Sequence, residues 1–190
     1  MLAVSFAAKA QSKLIFKDKF MYTDVQVFNE TKRHSIPSLI DTGCSLCIID
    51  SIFAIDSCGI KEDELQTIPV NQTKDKISSA FIDSIFFCGK TYHKVYCLVA
   101  DLTGHYQKYA PKFIVGANIL RSGAWKFDME KNIVEPYDSN NKAKGIIYKW
   151  KNHEDYPDVA IDYIILDSKV NGKKTRFAFD TGCRLSLIHI

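Results

Sequence analysis

The chain has 190 residues, of which 46% are hydrophobic and 12% aromatic, and its formal net charge is +3. A chain of this length is usually one domain or two small ones, and this apolar content is enough for a core, which excludes an extensively disordered protein. The 25 basic and 22 acidic residues are spread along the chain, so no basic block predicts a nucleic-acid partner. No apolar run approaches the length of a membrane span, and no integral membrane segment is expected.

The first residues are apolar and end in Ala8-Lys9-Ala10, the small-x-small pattern that precedes a signal-peptide cleavage site. We interpret residues 1–13 as the remnant of a signal peptide and leader whose beginning is missing. A frayed first strand is the alternative. The first interpretation predicts an exported, periplasmic or extracellular protein of bacterial type, and the alternative leaves a cytoplasmic location open.

Short strands dominate the next hundred residues. Residues 25–27 alternate apolar and polar side chains as a half-buried strand does, and the polar residues 29–32 predict a turn. Residues 51–65 have a mixed composition that fits one short helix. Two further strands, residues 80–87 and 92–99, flank a turn that contains a glycine.

The second half of the chain contains one more buried strand and then repeats the early pattern. Residues 112–120 predict a strand that breaks at Gly116 and turns helical, followed by a hairpin within residues 124–134. A polar linker is predicted over residues 138–155. The Val-Asn-Gly-Lys sequence at residues 170–173 is a strong signal for a hairpin turn.

The tetrapeptide Asp-Thr-Gly-Cys occurs twice, each time between hydrophobic runs. It begins at Asp41 and again at Asp180, 139 residues later, and the matched flanks extend to a leucine and an isoleucine beyond each copy. This spacing is too long for a solenoid unit. The repeat therefore predicts two related lobes.

An aspartate on a tight turn between buried strands is costly, because burial disfavours the ionised carboxylate and raises its pKa. A protein that places one there usually has a use for it. Two such turns brought together would form a carboxyl pair that shares one proton, since two like charges a few ångströms apart cannot both ionise cheaply. One carboxyl then acts as acid and the other as base on a shared water, which suits attack on a peptide carbonyl.

The sequence Cys44-Ser-Leu-Cys47 also raises the possibility of zinc or redox chemistry. Zinc would need a second Cys/His pair at close spacing, and none of the five histidines supplies it. Packing is the favoured role of these cysteines, with metal binding or redox chemistry as the alternative, and no metal site is predicted.

Three segments together resemble the pepsin and retropepsin superfamily of aspartic proteases. They are residues 39–44, residues 113–120 and residues 179–183. In that family each lobe carries an Asp-Thr/Ser-Gly turn, and a hydrophobic-hydrophobic-Gly strand follows some seventy residues later. Ile114-Val115-Gly116 occupies that position after Asp41.

The resemblance implies an all-β fold: a closed acid-protease barrel with one or two short helices at residues 14–137, and the first strands of a second, homologous lobe at residues 156–190. It implies that Asp41 and Asp180 are the catalytic pair. The remaining implied site residues support the two turns: Thr42, Gly43, Thr181, Gly182 and the strand Ile114, Val115, Gly116.

The implied function is an aspartic endopeptidase that cleaves extended peptides or proteins without a cofactor. A catalytically inactive, protease-like binding domain is the alternative. The chain ends at Ile190, ten residues after Asp180, so we expect a fragment of a longer two-lobed protease whose second lobe lies in the same chain. If the chain ends there in nature, we expect a homodimer that pairs through Asp41.

Two features depart from the family pattern. A cysteine follows each Asp-Thr-Gly where the family has Ala, Ser or Thr, and a thiol is a weak hydrogen-bond donor. We therefore expect a dyad less acid-shifted than that of pepsin. Residues 66–79, where the family has a glycine-tipped lid, contain no glycine.

Overall fold

The computed structural model describes residues 10–69, 76–106, 111–138 and 164–183. Strands make up most of these ranges, with two short α-helices, one π-helical turn and one 3-10 turn. The strands are β1 (Ser12–Lys13), β2 (Ile15–Lys17), β3 (Phe20–Asn29), β4 (Lys32–Ile40), β5 (Cys47–Asp50), β6 (Gln66–Pro69), β7 (Lys76–Phe87), β8 (Lys90–Ala100), β9 (Phe113–Val115), β10 (Trp125–Asp128), β11 (Ile133–Pro136), β12 (Ile164–Val170) and β13 (Lys173–Phe179). The helical segments are the π-turn Phe53–Ser57, the 3-10 turn Glu62–Glu64, α1 (Leu102–Tyr106) and α2 (Ala117–Leu120).

Six strands form a closed barrel in the order β3, β4, β9, β5, β8, β7, and β7 pairs back onto β3. The closing pairs include Val27 with Ile85. Strands β2 and β6 extend the sheet beyond the barrel on its two sides. The barrel interior is filled by fully buried side chains from all six strands, among them Val25, Val27, Ile40, Ile49, Ile82, Cys97, Phe113 and Val115.

Strand β9 lies between β4 and β5, although it follows them by more than sixty residues. It runs parallel to β4, pairing Leu39 with Ile114, and antiparallel to β5, pairing Ile48 with Ile114. Gly116 ends this insertion, and a Cβ at that position would meet the backbone carbonyl of Leu46. Only glycine allows the two backbones to approach this closely.

A three-stranded sheet of β1, β11 and β10 packs beside the barrel. The Trp125 ring lies 4.8 Å from that of Phe87, and its Nε1 donates a 2.8 Å hydrogen bond to the Leu120 carbonyl. Ser12 and Lys13 pair with β11. These two residues therefore belong to this lobe, although they were predicted to belong to the leader.

The second Asp-Thr-Gly motif follows a separate hairpin, β12–β13. Its strands pair from Ile164 with Phe179 to Val170 with Lys173. The two turn residues, Asn171 and Gly172, have φ of 50° and 78°, as a two-residue hairpin turn with a matching twist requires. This turn was predicted from the sequence and is confirmed.

The predicted all-β fold with a closed barrel and short helices is confirmed. The helix predicted within residues 51–65 is a π-turn and a 3-10 turn, and α1 was not predicted. Residues 1–9 of the predicted leader, most of the linker 138–155, and residues 156–163 and 184–190 lie outside the described residues. Among the described residues, none of the helices has the length and hydropathy that crossing a membrane requires.

Candidate active site

Asp41 follows directly from β4, at the end of the barrel where β9 enters between the strands. Its backbone N–H donates a 3.1 Å hydrogen bond to the Val115 carbonyl, so the turn continues the β4–β9 ladder by one residue. The N–H of Gly43 donates to Asp41 Oδ1 at 2.8 Å. The side chain is buried, with 8% of its surface exposed.

Asp180 has the same local arrangement at the end of β13. The N–H of Gly182 donates to Asp180 Oδ1 at 2.9 Å. Asp180 itself is exposed. The two turns therefore hold their carboxylates in the same way, although one belongs to the barrel and the other to the separate hairpin.

Reciprocal hydrogen bonds between two threonines join the turns. The Thr42 N–H donates to Thr181 Oγ1 at 3.0 Å, and the Thr181 N–H donates to Thr42 Oγ1 at 3.1 Å. Each hydroxyl in turn donates to a carbonyl of the opposite strand end: Thr42 Oγ1 to Phe179 at 2.8 Å and Thr181 Oγ1 to Ile40 at 2.7 Å. Both threonine N–H groups and both threonine hydroxyls therefore have hydrogen-bond partners, and the pairing relates the two turns by a local two-fold axis.

Each carboxylate lies against the glycine of the other turn. A Cβ built on Gly43 would be 2.5 Å from Asp180 Cγ, and one built on Gly182 would overlap the Asp41 carboxylate. The glycines are therefore required by the cross-turn contact, beyond any demand of the turn itself. This packing brings the carboxyl groups of Asp41 and Asp180 together.

The environment raises the pKa of Asp41 to about 6. Burial is the main cause, the nearby charge of Asp180 is the second, and the hydrogen bond from the Gly43 N–H opposes both. A carboxyl with this pKa can hold a proton in weakly acidic solution beside a second carboxyl. The pair is thus able to act as an acid and a base at the same time.

The predicted strand residues Ile114, Val115 and Gly116 lie behind the first turn. Ile114 and Val115 are fully buried, and the segment after Gly116 contacts the turn through the Ala117 N–H, which donates to the Cys44 carbonyl at 2.7 Å.

Asn118 is a supporting residue that the sequence did not single out. Its Oδ1 accepts from the Cys47 N–H at 2.8 Å, and its Nδ2 donates to the Tyr96 carbonyl at 2.9 Å. It therefore joins α2 to β5 and β8 just behind the turn. A polar amide in an otherwise apolar run, two residues after Gly116, was the available signal.

The cysteines of the C-x-x-C sequence have separate environments. The Cys44 thiol donates to the Leu46 carbonyl at 3.0 Å, and burial raises its pKa to about 12, so it stays protonated. Cys47 is fully buried and its sulfur accepts from the Gly116 N–H at 3.4 Å. Within the described ranges, no three Cys, His, Asp or Glu side chains come together as metal ligands.

No protein-family model matches the sequence, and no curated protein is similar to it. Solved structures with a similar fold include the following two. The crystal structure of a retropepsin-like aspartic protease from Rickettsia conorii has a TM-score of 0.48 and 19% identity, over 65% of this chain and 86% of that one. The retroviral protease-like domain of Ddi1 from Leishmania major has a TM-score of 0.41 and 15% identity, over 64% of this chain and 97% of that one.

Both similar structures are of the type that the sequence motifs resemble. In this chain, the paired turns of Asp41 and Asp180 are the feature that bears on chemistry.

Proposed function

We propose that the chain is the catalytic part of an aspartic endopeptidase, with Asp41 and Asp180 as its two carboxyls. The observation that carries the proposal is the reciprocal pairing of the two Asp-Thr-Gly turns, in which each carboxylate lies over the glycine of the other turn. A turn that only capped a hairpin would have no need of a second copy facing it.

In the proposed reaction, a water lies between the two carboxyls. The ionised carboxyl takes a proton from this water as its oxygen attacks the carbonyl carbon of the peptide bond, and the protonated carboxyl donates its proton to the carbonyl oxygen. Collapse of the tetrahedral intermediate passes a proton to the leaving amine, breaks the C–N bond and returns the pair to its starting state. The burial of Asp41 favours it as the proton holder at the start of the cycle.

We further propose that the second turn comes from the same chain, as in a two-lobed enzyme. The hydrogen bonds between Thr42 and Thr181 support this arrangement, because they satisfy within one chain the groups that a homodimer would pair through two copies of Thr42. The substrate would be a peptide bound in extended form across the two turns. Export also remains a proposal, and it predicts a mature chain that begins at Gln11.

The test is cleavage of a peptide library by the purified protein, with Asp41→Asn and Asp180→Asn as variants. We expect each substitution to reduce kcat/KM by about 10³-fold or more, because the two carboxyls act as a unit. Asp24→Asn is the matched control, since Asp24 lies exposed on β3. Cleavage that survives in either active-site variant would overturn the proposal.

A further inference from the structure

A small apolar cluster lies on the outer face of the barrel sheet. Its side chain on β4 is that of Leu39, which alternates with Ile40, whose side chain fills the barrel. Leu39 pairs with Tyr22 on β3 and with Ile114 on β9, so these three residues share the outer face. We call the group the outer cluster, and its members are all buried: Phe20, Tyr22, Leu39, Leu102 and Ile114.

The outer cluster adjoins Asp41. Leu39 precedes Asp41 by two residues, and residues two apart along a strand share a face. Continuing the β3–β4 register by two residues from the Tyr22–Leu39 pair places Phe20 opposite Asp41. Asp41 is itself buried, and burial is the main cause of its raised pKa. The outer cluster is therefore part of the apolar surroundings that keep water from this side of the carboxyl pair.

A buried carboxylate on another strand holds Leu102 in the outer cluster. Asp50 is the last residue of β5 and is 7% exposed. Its Oδ2 accepts a 3.3 Å hydrogen bond from the Leu102 N–H, and its Oδ1 accepts a 2.9 Å hydrogen bond from the Phe53 N–H. One side chain thus joins the start of α1 to the start of the π-turn, and it fixes the residue through which α1 contacts the cluster.

Helix α1 depends on such contacts for its position. It has five residues and contains Gly104, so it is too short, and too poor in helix-forming residues, to be stable by itself. Asp101 is exposed and caps the helix with its Oδ1, which accepts from the Thr103 N–H at 2.8 Å and from the Gly104 N–H at 3.4 Å. Two aspartates therefore hold α1, and Asp50 is the one that ties it to the buried strands.

We propose that Asp50 is a positioning residue for the carboxyl pair: it holds Leu102 in the outer cluster, and the cluster keeps water away from Asp41. If α1 moved away, Leu39 and Ile114 would lose their cover, and water would reach the end of β4 beside Asp41. Hydration favours the ionised carboxylate, so Asp41 would release its proton at a lower pH. Only the catalytic meaning of this inference rests on the proposed endopeptidase function, because the ionisation of Asp41 is measurable without cleavage.

Other titratable groups near Asp41 act on the same ionisation. Among the described residues, Asp180 on the second turn raises the pKa of Asp41, and the Cys44 thiol on the first turn stays protonated. Tyr22, on β3, is the titratable member of the outer cluster. Asp50 is a carboxylate like Asp41, so its removal would also take away a like charge. The test therefore needs a variant that opens the cluster without a change of charge.

The experiment follows the pH at which Asp41 releases its proton. The carboxyl carbon of Asp41 is observed by NMR in ¹³C-labelled protein, and its signal is identified by its loss in Asp41→Asn. The pH dependence of kcat/KM is measured for the best-cleaved peptide over the same range. The wild type is compared with Asp50→Asn and with Leu102→Ala, which opens the cluster without changing the charge.

Asp101→Asn is the matched control, since it removes the same charge from the exposed cap of the same helix. If Asp50→Asn does not fold, Asp50→Ser replaces it. Serine is a favoured residue at the start of a helix, so it keeps an acceptor for the Phe53 N–H. Its single oxygen cannot also hold the Leu102 N–H.

We expect Asp41 of the wild type to titrate near pH 6, and kcat/KM to fall as pH rises through the same range, because the pair needs one proton to act. Both midpoints should move down by about 1 pH unit in Leu102→Ala and in Asp50→Asn, and both should stay in place in Asp101→Asn.

A shift in Asp50→Asn without one in Leu102→Ala would be an effect of charge and would overturn the proposal. A shift in Leu102→Ala alone would overturn the role of Asp50. Unchanged midpoints in both folded variants would overturn the whole inference, because a residue that only stabilises the fold lowers the unfolding temperature and leaves this pH dependence in place. If the wild type cleaves no peptide, the protease function fails, and the NMR titration alone decides whether Asp50 and Leu102 keep Asp41 dry.

Discussion

The two hairpins that end in Asp41 and Asp180 have the same turn and different surroundings. β3–β4 is part of the closed barrel, and Leu39 and Ile40 before the first turn are fully buried. β12–β13 forms a two-stranded sheet of its own within the described residues, and Phe177 and Phe179 before the second turn are only half-buried.

This difference shows that the geometry of the turn and the pKa of its carboxyl have separate structural causes. The hydrogen bond from the glycine N–H to the aspartate Oδ1 is 2.8 Å in the first turn and 2.9 Å in the second, so the local geometry does not depend on burial. The raised pKa of Asp41 does depend on it, because burial is its largest cause. The sequence of the motif therefore fixes the position of a carboxylate, and the fold around it tunes the acidity.

After the aspartate substitutions, the largest expected loss of activity comes from the glycine of the second turn. In Gly182→Ala, the new methyl group would overlap the Asp41 carboxylate and force the turns apart, so we expect kcat/KM to fall by about 100-fold or more. The barrel should unfold at an unchanged temperature, since the clash lies between the two turns. Gly172→Ala is the control in the same hairpin: its Cβ meets nothing within 4 Å, and only local strain from the positive φ is expected. Full activity in Gly182→Ala would show that the turns do not face each other in solution.

The next effect tests the closed barrel, to which the first of the two hairpins belongs. Gly116→Ala would place a methyl group against the Leu46 carbonyl, and because backbone on both sides cannot yield, we expect a loss of about 3–5 kcal/mol in the free energy of unfolding.

Denaturant unfolding measures this loss, and Gly104→Ala is its control. Gly104 lies in α1 with only the Asp101 carboxylate 3.7 Å from its Cβ position, so alanine should be neutral or stabilise by about 0.5–1 kcal/mol. A Gly116→Ala protein as stable as this control would contradict the position of β9 between β4 and β5.

A third prediction concerns the pH dependence of stability. The pKa of Asp41 is about 6 in the folded state, against a usual value of 3.8, so the folded state binds more protons between these values. Stability therefore falls as pH rises through this window, by about 2–3 kcal/mol in total. Asp41→Asn lacks the ionisation, and its stability relative to wild type should increase between pH 4 and pH 7. An equal difference at both pH values, measured by thermal unfolding, would contradict the raised pKa.

The smallest effect is expected from the threonines that join the turns. Thr181→Val removes the hydroxyl that accepts from the Thr42 N–H and donates to the Ile40 carbonyl, which should weaken the contact between the hairpins by about 1–2 kcal/mol. Faster hydrogen exchange in β12–β13, with unchanged exchange in the barrel, is the expected signature. Thr181→Ser keeps the hydroxyl and should behave as wild type. If Thr181→Val left hydrogen exchange in β12–β13 unchanged, the threonine pair would not be what holds the hairpins together.

Much of this fold could be predicted because its turns are marked locally. The Asn171-Gly172 pair predicted a hairpin, because its turn requires residues that adopt a positive φ. Gly116 predicted the end of a buried strand, because only a residue without a side chain fits against Leu46. The repeat of Asp-Thr-Gly predicted two similar turns, and the structure joins these turns through Thr42 and Thr181.

The parts that could not be predicted depend on distant residues or on weak local signals. The pairing of β3 with β7, which closes the barrel, has no sequence signature. Asn118, which joins strands around residues 47 and 96, had only the weak signal of a polar amide in an apolar run. Helix α1 was missed because it has five residues and contains Gly104, which is unfavourable within a helix. Its one cue was Asp101, whose Oδ1 accepts from the Thr103 N–H at 2.8 Å, as a residue at the start of a helix does.

The hydrogen bonds between the two turns have a consequence for synthesis on the ribosome. They join residues that are 139 positions apart, and at about 5–20 residues per second the ribosome takes roughly 7–28 seconds to add that many. β3 and β4 precede Asp41, and the other four barrel strands are synthesised during this interval. The nascent chain is therefore able to close its barrel while Asp41 still has no partner. On the proposed mechanism, a growing chain cannot cut its neighbours on the same messenger RNA, and hydrolytic capacity begins only after the second turn has left the exit tunnel.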